Sequence, residues 1–110
     1  MPTANLKSCQ DLEMELFRLK EHFEYFEDSN PKELLDWARY FQKWGRRATD
    51  QGLTWVRPYL ELATLMVSNL SGSKAPAGAF DLLVRAMRGA QRDIQREIDQ
   101  IQHQKIAVGF

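Results

Sequence analysis

The residues able to perform covalent chemistry in this sequence are few and far apart. Cys9 is the single cysteine of the 110-residue chain, and the two histidines are His22 and His103. A nucleophilic thiol needs a base within hydrogen-bonding reach, but His22 lies about 20 Å from Cys9 along one predicted helix. Because Cys9 is in step with the apolar residues of that helix, we expect a buried side chain rather than a nucleophile.

Ligands for metals and phosphates are equally sparse. Structural zinc requires clustered Cys and His side chains, whereas Asp99 and His103, one helical turn apart, supply only two ligands. Residues 72–74 (Gly-Ser-Lys) are only similar to the end of a phosphate-binding loop, and the glycine that opens that motif is absent. We therefore predict no catalytic, cofactor-binding or metal-binding residues, and a protein that is not an enzyme.

Cationic side chains form two rows with helical spacing. The first row lies on the second predicted helix, next to Tyr40 and Trp44, and consists of Arg39, Lys43, Arg46 and Arg47. The second row lies on the last predicted helix and consists of Arg85, Arg88, Arg92 and Arg96. Guanidinium groups bind phosphate bidentately and aromatic rings stack on bases, so both rows are candidate nucleic-acid contacts. Alternatively, the rows face water or pair with the acidic first helix.

The charges balance over the whole chain but not along it. The sequence holds 15 Lys and Arg against 15 Asp and Glu, a total that disfavours a strongly basic nucleic-acid binder. Residues 1–30 contain seven acidic and three basic side chains, whereas residues 31–60 contain six basic and three acidic ones. The sequence therefore predicts one acidic and one basic helix face within the same fold.

Apolar periodicity and capping signals predict the first two helices. Residues 8–11 (Ser-Cys-Gln-Asp) have the form of a helix start. Apolar residues then recur in steps of three and four, which predicts a helix over about 9–27. Asn30 and Pro31 have the chemistry of an N-cap and a first helical residue. They predict a second helix over 31–50, ending near Gly52.

The second half of the chain predicts two helices of unequal length. Pro58 is tolerated in the first turn of a helix over 57–70. Small residues, glycines and a proline over 71–78 predict a mobile loop. Helical spacing then continues over 79–105, interrupted only by Gly89. At about 1.5 Å per residue these helices span about 20 and 40 Å, so the last helix outreaches its neighbour.

These elements predict one all-α domain over residues 1–110, a four-helix bundle with a long C-terminal helix. The outer half of that helix has a narrow apolar stripe, formed by Ile94, Ile98 and Ile101. Such a stripe suits pairing with a second copy, so we expect a homodimer. The alternative is that helix 1 covers the stripe within one chain. Trp37 and Trp44 are further candidate interface residues, because tryptophan is enriched at interface centres.

The expected cellular location, and the expectation of no membrane partner, follow from features that the sequence lacks. The chain has no apolar run suited to a secretory signal or to a membrane span, and its single cysteine forms no internal disulfide. We expect a cytoplasmic protein without a membrane partner. The predicted function is a non-enzymatic interaction module, such as a small adaptor, regulatory subunit or scaffold, acting through protein contacts and self-association. The alternative is a small helical subunit that binds nucleic-acid backbone through its cationic rows.

Overall fold

The computed structural model describes residues 5–25, 31–71 and 78–108, and every regular element within them is helical. The four α-helices are α1 (Leu6–Tyr25), α2 (Pro31–Asp50), α3 (Arg57–Leu70) and α4 (Ala79–Val108). A 3-10 turn over Thr54–Val56 precedes α3. The prediction of an all-α fold is therefore confirmed for the described residues.

Helix α1 begins earlier than the sequence predicts. Asn5 precedes its first residue, and the Asn5 side-chain oxygen accepts a hydrogen bond from the backbone N–H of Ser8 at 2.8 Å. This is the geometry of an N-cap, so Asn5 rather than Ser8 caps the helix. The expected end at residue 27 and the expected cap at Asn30 lie outside the described residues.

Helix α2 ends in a hydrogen-bonded stop built around a glycine. Gly52 has a φ of 94°, a left-handed conformation that an L side chain rarely adopts. The N–H of Leu53 donates to the carbonyl of Ala48 at 3.1 Å, and that of Gly52 donates to the carbonyl of Thr49 at 2.9 Å. This pattern is a Schellman motif. It turns the chain so that Leu53, 1% exposed, packs into the core.

The helices alternate in direction around a shared core. At one end Phe23 of α1 contacts Trp37 of α2 and Phe80 of α4, with ring centroids 5.6 and 4.6 Å apart. The most extensive contacts join α2 to α3 and α1 to α4, whereas α2 and α4 touch little. Helices α2 and α4 therefore occupy diagonal positions in the bundle, and α1 separates them on one side.

Helix α1 covers the outer half of α4 within the same chain. Ile94 is fully buried, Ile98 is 4% exposed, and Ile101 packs against the core as a partly buried residue. Because α1 begins early, its first turn also covers this region, and Leu6 packs against the core. The homodimer prediction relied on this stripe being exposed, so its premise is corrected: the intrachain alternative accounts for the stripe.

Candidate interaction surface

The candidate nucleophile lies inside the fold. Cys9 is fully buried on α1, and burial, assisted by the negative charge of Glu97, raises the pKa of its thiol. His22 and His103 are both exposed, on different helices. Within the described part of the chain, no three His, Cys, Asp or Glu side chains are grouped closely enough to hold a metal ion. These side chains therefore build no reactive centre with one another.

All five predicted interface residues belong to the core or pack against it as partly buried side chains. Trp44 is 4% exposed, and its indole N–H donates to the Leu12 carbonyl at 2.8 Å. Trp44 therefore joins α2 to α1, a correction to its expected interface role. Ile94 and Ile98 are buried for the reason given above, and Ile101 packs partly against them. Trp37 remains partly buried, between the rings of Phe23 and Tyr40.

The cationic row of α2 is exposed, but nearby carboxylates make it a poor phosphate-binding surface. Arg47 donates to both carboxylate oxygens of Glu15 on α1, at 2.5 and 2.8 Å. This pairing is the one by which acidic α1 was expected to engage the row. Beyond it, Tyr40 and Trp37 share a shallow depression with the carboxylates of Glu33 and Asp36. Carboxylates next to the aromatic rings disfavour a nucleic-acid backbone at this place.

The cationic row of α4 is also exposed, but it faces away from the row of α2. Each row lies on the side of its helix opposite the buried residues, and the two helices are diagonal in the bundle. The rows therefore point to opposite sides of the molecule. Arg96 lies 3.9 Å from the carboxylate of Asp93, at the limit of an ion pair. A continuous surface formed by both rows, which would favour nucleic acid, is absent from the described residues.

A cationic groove forms where α1 meets the row of α4. Lys20 of α1 and three arginines of α4 line it, together with Gln91, and the arginines are Arg85, Arg88 and Arg92. The groove has a volume of about 530 Å³. Among the described residues, no carboxylate forms an ion pair with Lys20, Arg85 or Arg92. The described carboxylates therefore leave these three cations to a ligand.

A second depression, with apolar side chains, adjoins the cationic groove along α1 and α4. Met14 and Phe17 are 56% and 41% exposed, and buried Ile98 lies beneath them. The Lys20 ammonium lies 5.6 Å from the centre of the Phe17 ring, so the cationic and apolar parts adjoin. This second part has a volume of about 690 Å³. We call the combined feature, from Gln102 to Arg85 along α4, the α1–α4 groove.

The two halves of the α1–α4 groove differ in charge. Lys20 and the α4 arginines line one half, whereas Asp11 and Glu13 belong to the other half, with Glu13 beside Gln95 near the middle. Gln95, Gln102 and Gln10 place uncharged amides along its sides. An extended ligand in the groove therefore meets carboxylates first, then apolar side chains and finally cations.

Sequence reasoning missed the apolar and cationic side chains that α1 contributes to this groove. Met14, Phe17 and Lys20 lie off the apolar seam of α1, and Lys20 stands among acidic neighbours in the sequence. Only the antiparallel pairing of α1 with α4 brings Lys20 beside Arg85 and Arg92. The available signal was the pair Met14 and Phe17, which are large apolar side chains on the otherwise polar side of an amphipathic helix.

Another apolar depression is smaller, and the described residues that line it are uncharged. It lies between the end of α3 and the start of α4, has a volume of about 180 Å³, and includes Leu65 and Leu82. These two side chains are 57% and 46% exposed. They provide apolar surface of similar exposure to Met14 and Phe17, and Leu65 lies on α3, which contributes no lining residue to the cationic groove.

Comparison with known proteins adds no assignment. No protein-family model, curated protein or solved structure matches this chain. Among the residues that the structure describes, no helix combines the length and the apolarity needed to cross a bilayer. A function is therefore inferred from the α1–α4 groove and its charges.

Proposed function

We propose that this chain is a non-enzymatic interaction module that binds a protein partner in the α1–α4 groove, as an adaptor, regulatory subunit or scaffold does. The observation behind the proposal is the juxtaposition of exposed Met14 and Phe17 with the cations at Lys20, Arg85 and Arg92. Methionine, aromatic residues and arginine are the residue types enriched at protein interfaces. Lysine beside them supplies further charge for steering.

The groove contributes to binding in two ways: its apolar side chains add affinity, and its charges steer the approach of the partner. Full burial of an exposed Met or Phe side chain is worth about 1.5–3 kcal/mol, and these two are about half exposed, so each contributes roughly half of that. The cationic end raises the association rate for an acidic partner and disfavours a basic one. Together these contributions support a reversible, selective contact.

The non-catalytic part of the proposal rests on the surroundings of the reactive side chains. Cys9 is buried and its raised pKa disfavours the thiolate that a nucleophile requires. A free buried thiol also suits a reducing compartment, and we propose a cytoplasmic location on that ground.

Binding of nucleic-acid backbone is the second candidate function. It is favoured by the α4 row, whose four arginines are all exposed along one helix face. The row spans 11 residue steps, about 16 Å, and therefore reaches only a few phosphates. The row on α2 adds nothing to it, because it faces the opposite side of the molecule.

Photocrosslinking in the native host tests the proposed function. A photoreactive phenylalanine analogue is placed at position 17, and at position 65 as a matched control, since Leu65 is exposed and apolar but lies on α3, which does not line the groove. We expect the label at position 17 to give one discrete crosslinked protein, and the label at position 65 to give none. The product at position 17 should be lost in a labelled variant that also carries Arg85→Glu and Arg92→Glu.

Two results would contradict this function. Equal products at positions 17 and 65 would mean that the groove has no dedicated protein partner. A product at position 17 that disappears on nuclease treatment would instead support the nucleic-acid candidate. In that case binding to oligonucleotides should weaken steeply with salt.

A further inference from the structure

The length of the α1–α4 groove matches that of a short helix. From Arg85 to Gln102 the groove follows α4 for 17 residue steps, about 26 Å. A bound helix of about 17 residues has the same length. Two antiparallel helices packed side by side leave a groove of this kind between them, into which side-chain ridges of a third helix can pack.

The floor of the groove presents apolar side chains at helical spacing. Met14 and Phe17 are three residues apart on α1, and Ile98 forms the base between the two helices. A helix that binds in a groove uses apolar residues at i, i+3, i+4 and i+7 as its anchors. Exposed apolar side chains beside a groove between two helices suit the apolar stripe of an amphipathic helix, whose side-chain ridge such a groove accepts.

The charges of the groove define the direction of such a helix. The cationic half, at Lys20, Arg85 and Arg92, attracts carboxylates, whereas Asp11 and Glu13 in the other half repel them. A helix dipole places partial negative charge at its C-terminus and partial positive charge at its N-terminus. Side-chain charge and dipole therefore favour the same orientation when the acidic residues occupy the C-terminal half.

On these grounds, and resting on the proposed function, we propose that the partner segment is an amphipathic helix with an acidic C-terminal half. It lies in the α1–α4 groove parallel to α1, with its apolar stripe over Met14 and Phe17. Its carboxylates pair with Lys20, Arg85 and Arg92. Its N-terminal half lies beside Asp11 and Glu13 and contains neutral or basic residues.

A nucleic-acid strand fits the same groove less well. Its phosphates have one charge throughout, so a strand following the groove would meet Asp11 and Glu13 as well as the cations. The apolar floor between these ends offers phosphates no partner. Complementarity to a chain of mixed charge therefore favours the helix.

A selection experiment on the full chain tests the proposal. The probe is a displayed library of 17-residue helices with a fixed Leu/Phe stripe and with Glu, Lys and Gln varied at the remaining positions. We expect the selected sequences to be enriched in Glu in their C-terminal half. Synthetic peptides from the selection should bind at least 10-fold more tightly than versions in which the charged halves are exchanged.

Matched variants locate the binding in the groove. Combined Arg85→Glu and Arg92→Glu should weaken peptide binding at least 10-fold, whereas Arg39→Glu with Lys43→Glu, on the exposed row of α2, should leave it unchanged. Phe17→Ala should weaken binding and Leu65→Ala should not. Arg85→Gln with Arg92→Gln repeats the test without charge reversal, and circular dichroism verifies that each variant remains helical.

Each alternative result overturns the proposal. One such result is that the wild type selects no more peptides than the Arg85→Glu, Arg92→Glu variant does. Another is that the selected peptides carry Glu in their N-terminal half. A third is that peptides with exchanged halves bind as tightly as the originals. Groove-dependent binding of a 20-nucleotide single strand, in preference to every peptide, would also overturn it. If the selection fails while the position-17 crosslink persists, the helix proposal is wrong and the protein-binding function stands; if both fail, both are wrong.

Discussion

Tyr59 links α3 to α4. Among pairs of helices that are consecutive in the sequence, these two have the least contact. The Tyr59 hydroxyl donates to the carboxylate of Asp93 at 2.6 Å. The pKa of Tyr59 is raised to about 12, chiefly by burial and then by the hydrogen bond and negative charge of Asp93, while Arg92 and Arg96 oppose the rise. Because the folded state favours the protonated phenol, Tyr59 stabilises the fold as long as the phenol is neutral.

We expect Tyr59→Phe to lower the unfolding free energy at pH 7 by about 1–2 kcal/mol through loss of the bond to a charged acceptor. An unfolded tyrosine has a pKa of about 10. The stability from Tyr59 is therefore complete below pH 10 and is lost as the pH rises from 10 through 12. Denaturant unfolding across this range should show the variant losing less stability than the wild type. Tyr40→Phe, at an exposed position, is the control and should retain the wild-type loss.

Cys9 is a residue whose chemistry is suppressed by its place in the core. Its thiol is fully buried and its pKa is raised, so both access and thiolate formation are disfavoured. We expect thiol reagents to label the native protein at least 100-fold more slowly than the protein in denaturant. Rapid native labelling would contradict the buried position and reopen a redox or catalytic role.

At the residue scale the sequence predicts burial well and specific partners poorly. Cys9 was expected to be buried because it is in step with the apolar seam of α1, and it is. The bond from the Trp44 indole to the Leu12 carbonyl could not be predicted, because it depends on how α1 and α2 are rotated against each other. For the same reason the sequence left Trp44 as a candidate for either an interface or the core, and the structure buries it.

Among the elements, α1 shows how one capping residue sets a boundary. Asn5 accepts the N–H of Ser8, so Asn5→Ala should lower the unfolding free energy by about 1 kcal/mol. Asn5→Asp retains an oxygen acceptor and should restore most of that loss. Ser8→Ala should change stability by less than about 0.5 kcal/mol, since its side chain does not form the cap. A larger effect for Ser8→Ala, measured by chemical denaturation, would instead favour the start that the sequence predicts.

Helix α4 tolerates a glycine in its interior because another side chain approaches closely. A Cβ added at Gly89 would lie 2.9 Å from the Tyr59 hydroxyl oxygen. From helix propensity alone, Gly89→Ala would gain about 1 kcal/mol. We expect it instead to destabilise the wild type, because it displaces the hydroxyl from Asp93.

A double-mutant cycle separates the two contributions at Gly89. In the Tyr59→Phe background the nearest oxygen is removed, so Gly89→Ala should cost markedly less or become stabilising. Equal costs in both backgrounds would mean that the close approach does not matter. The measurement is the unfolding free energy of the four proteins under the same conditions.

At the element scale, periodicity predicts the helices because each buries one apolar stripe. The repeat of apolar residues in steps of three and four survives in all four helices as their buried faces. Which helices pair is harder to predict from the sequence, because an apolar stripe does not specify which neighbour covers it. The stripe of Ile94 and Ile98 was therefore assigned to a second copy, although α1 covers it.

Across the whole molecule, the candidate site arises from pairing that no single helix encodes. The α1–α4 groove combines Lys20, from a helix rich in acids, with the arginines of α4. Helical spacing predicts the α4 row and, separately, the row of α2 as candidates for the same ligand, but the bundle places the two rows apart. Diagonal placement of α2 and α4 is a property of the assembled fold, so counting charges along the chain could not predict the groove.

The assembled fold also changes the expectation for self-association. With Ile94 fully buried and Ile98 4% exposed, a second copy gains little apolar area at this stripe. We therefore expect light scattering to give a mass near 12.8 kDa that does not change as the concentration is raised through the micromolar range. Ile98→Glu should lower the unfolding free energy by at least 3 kcal/mol, because it places a charge in the core without a partner. A protein of twice that mass, dissociated by Ile98→Glu into a stable monomer, would contradict this expectation and restore the homodimer.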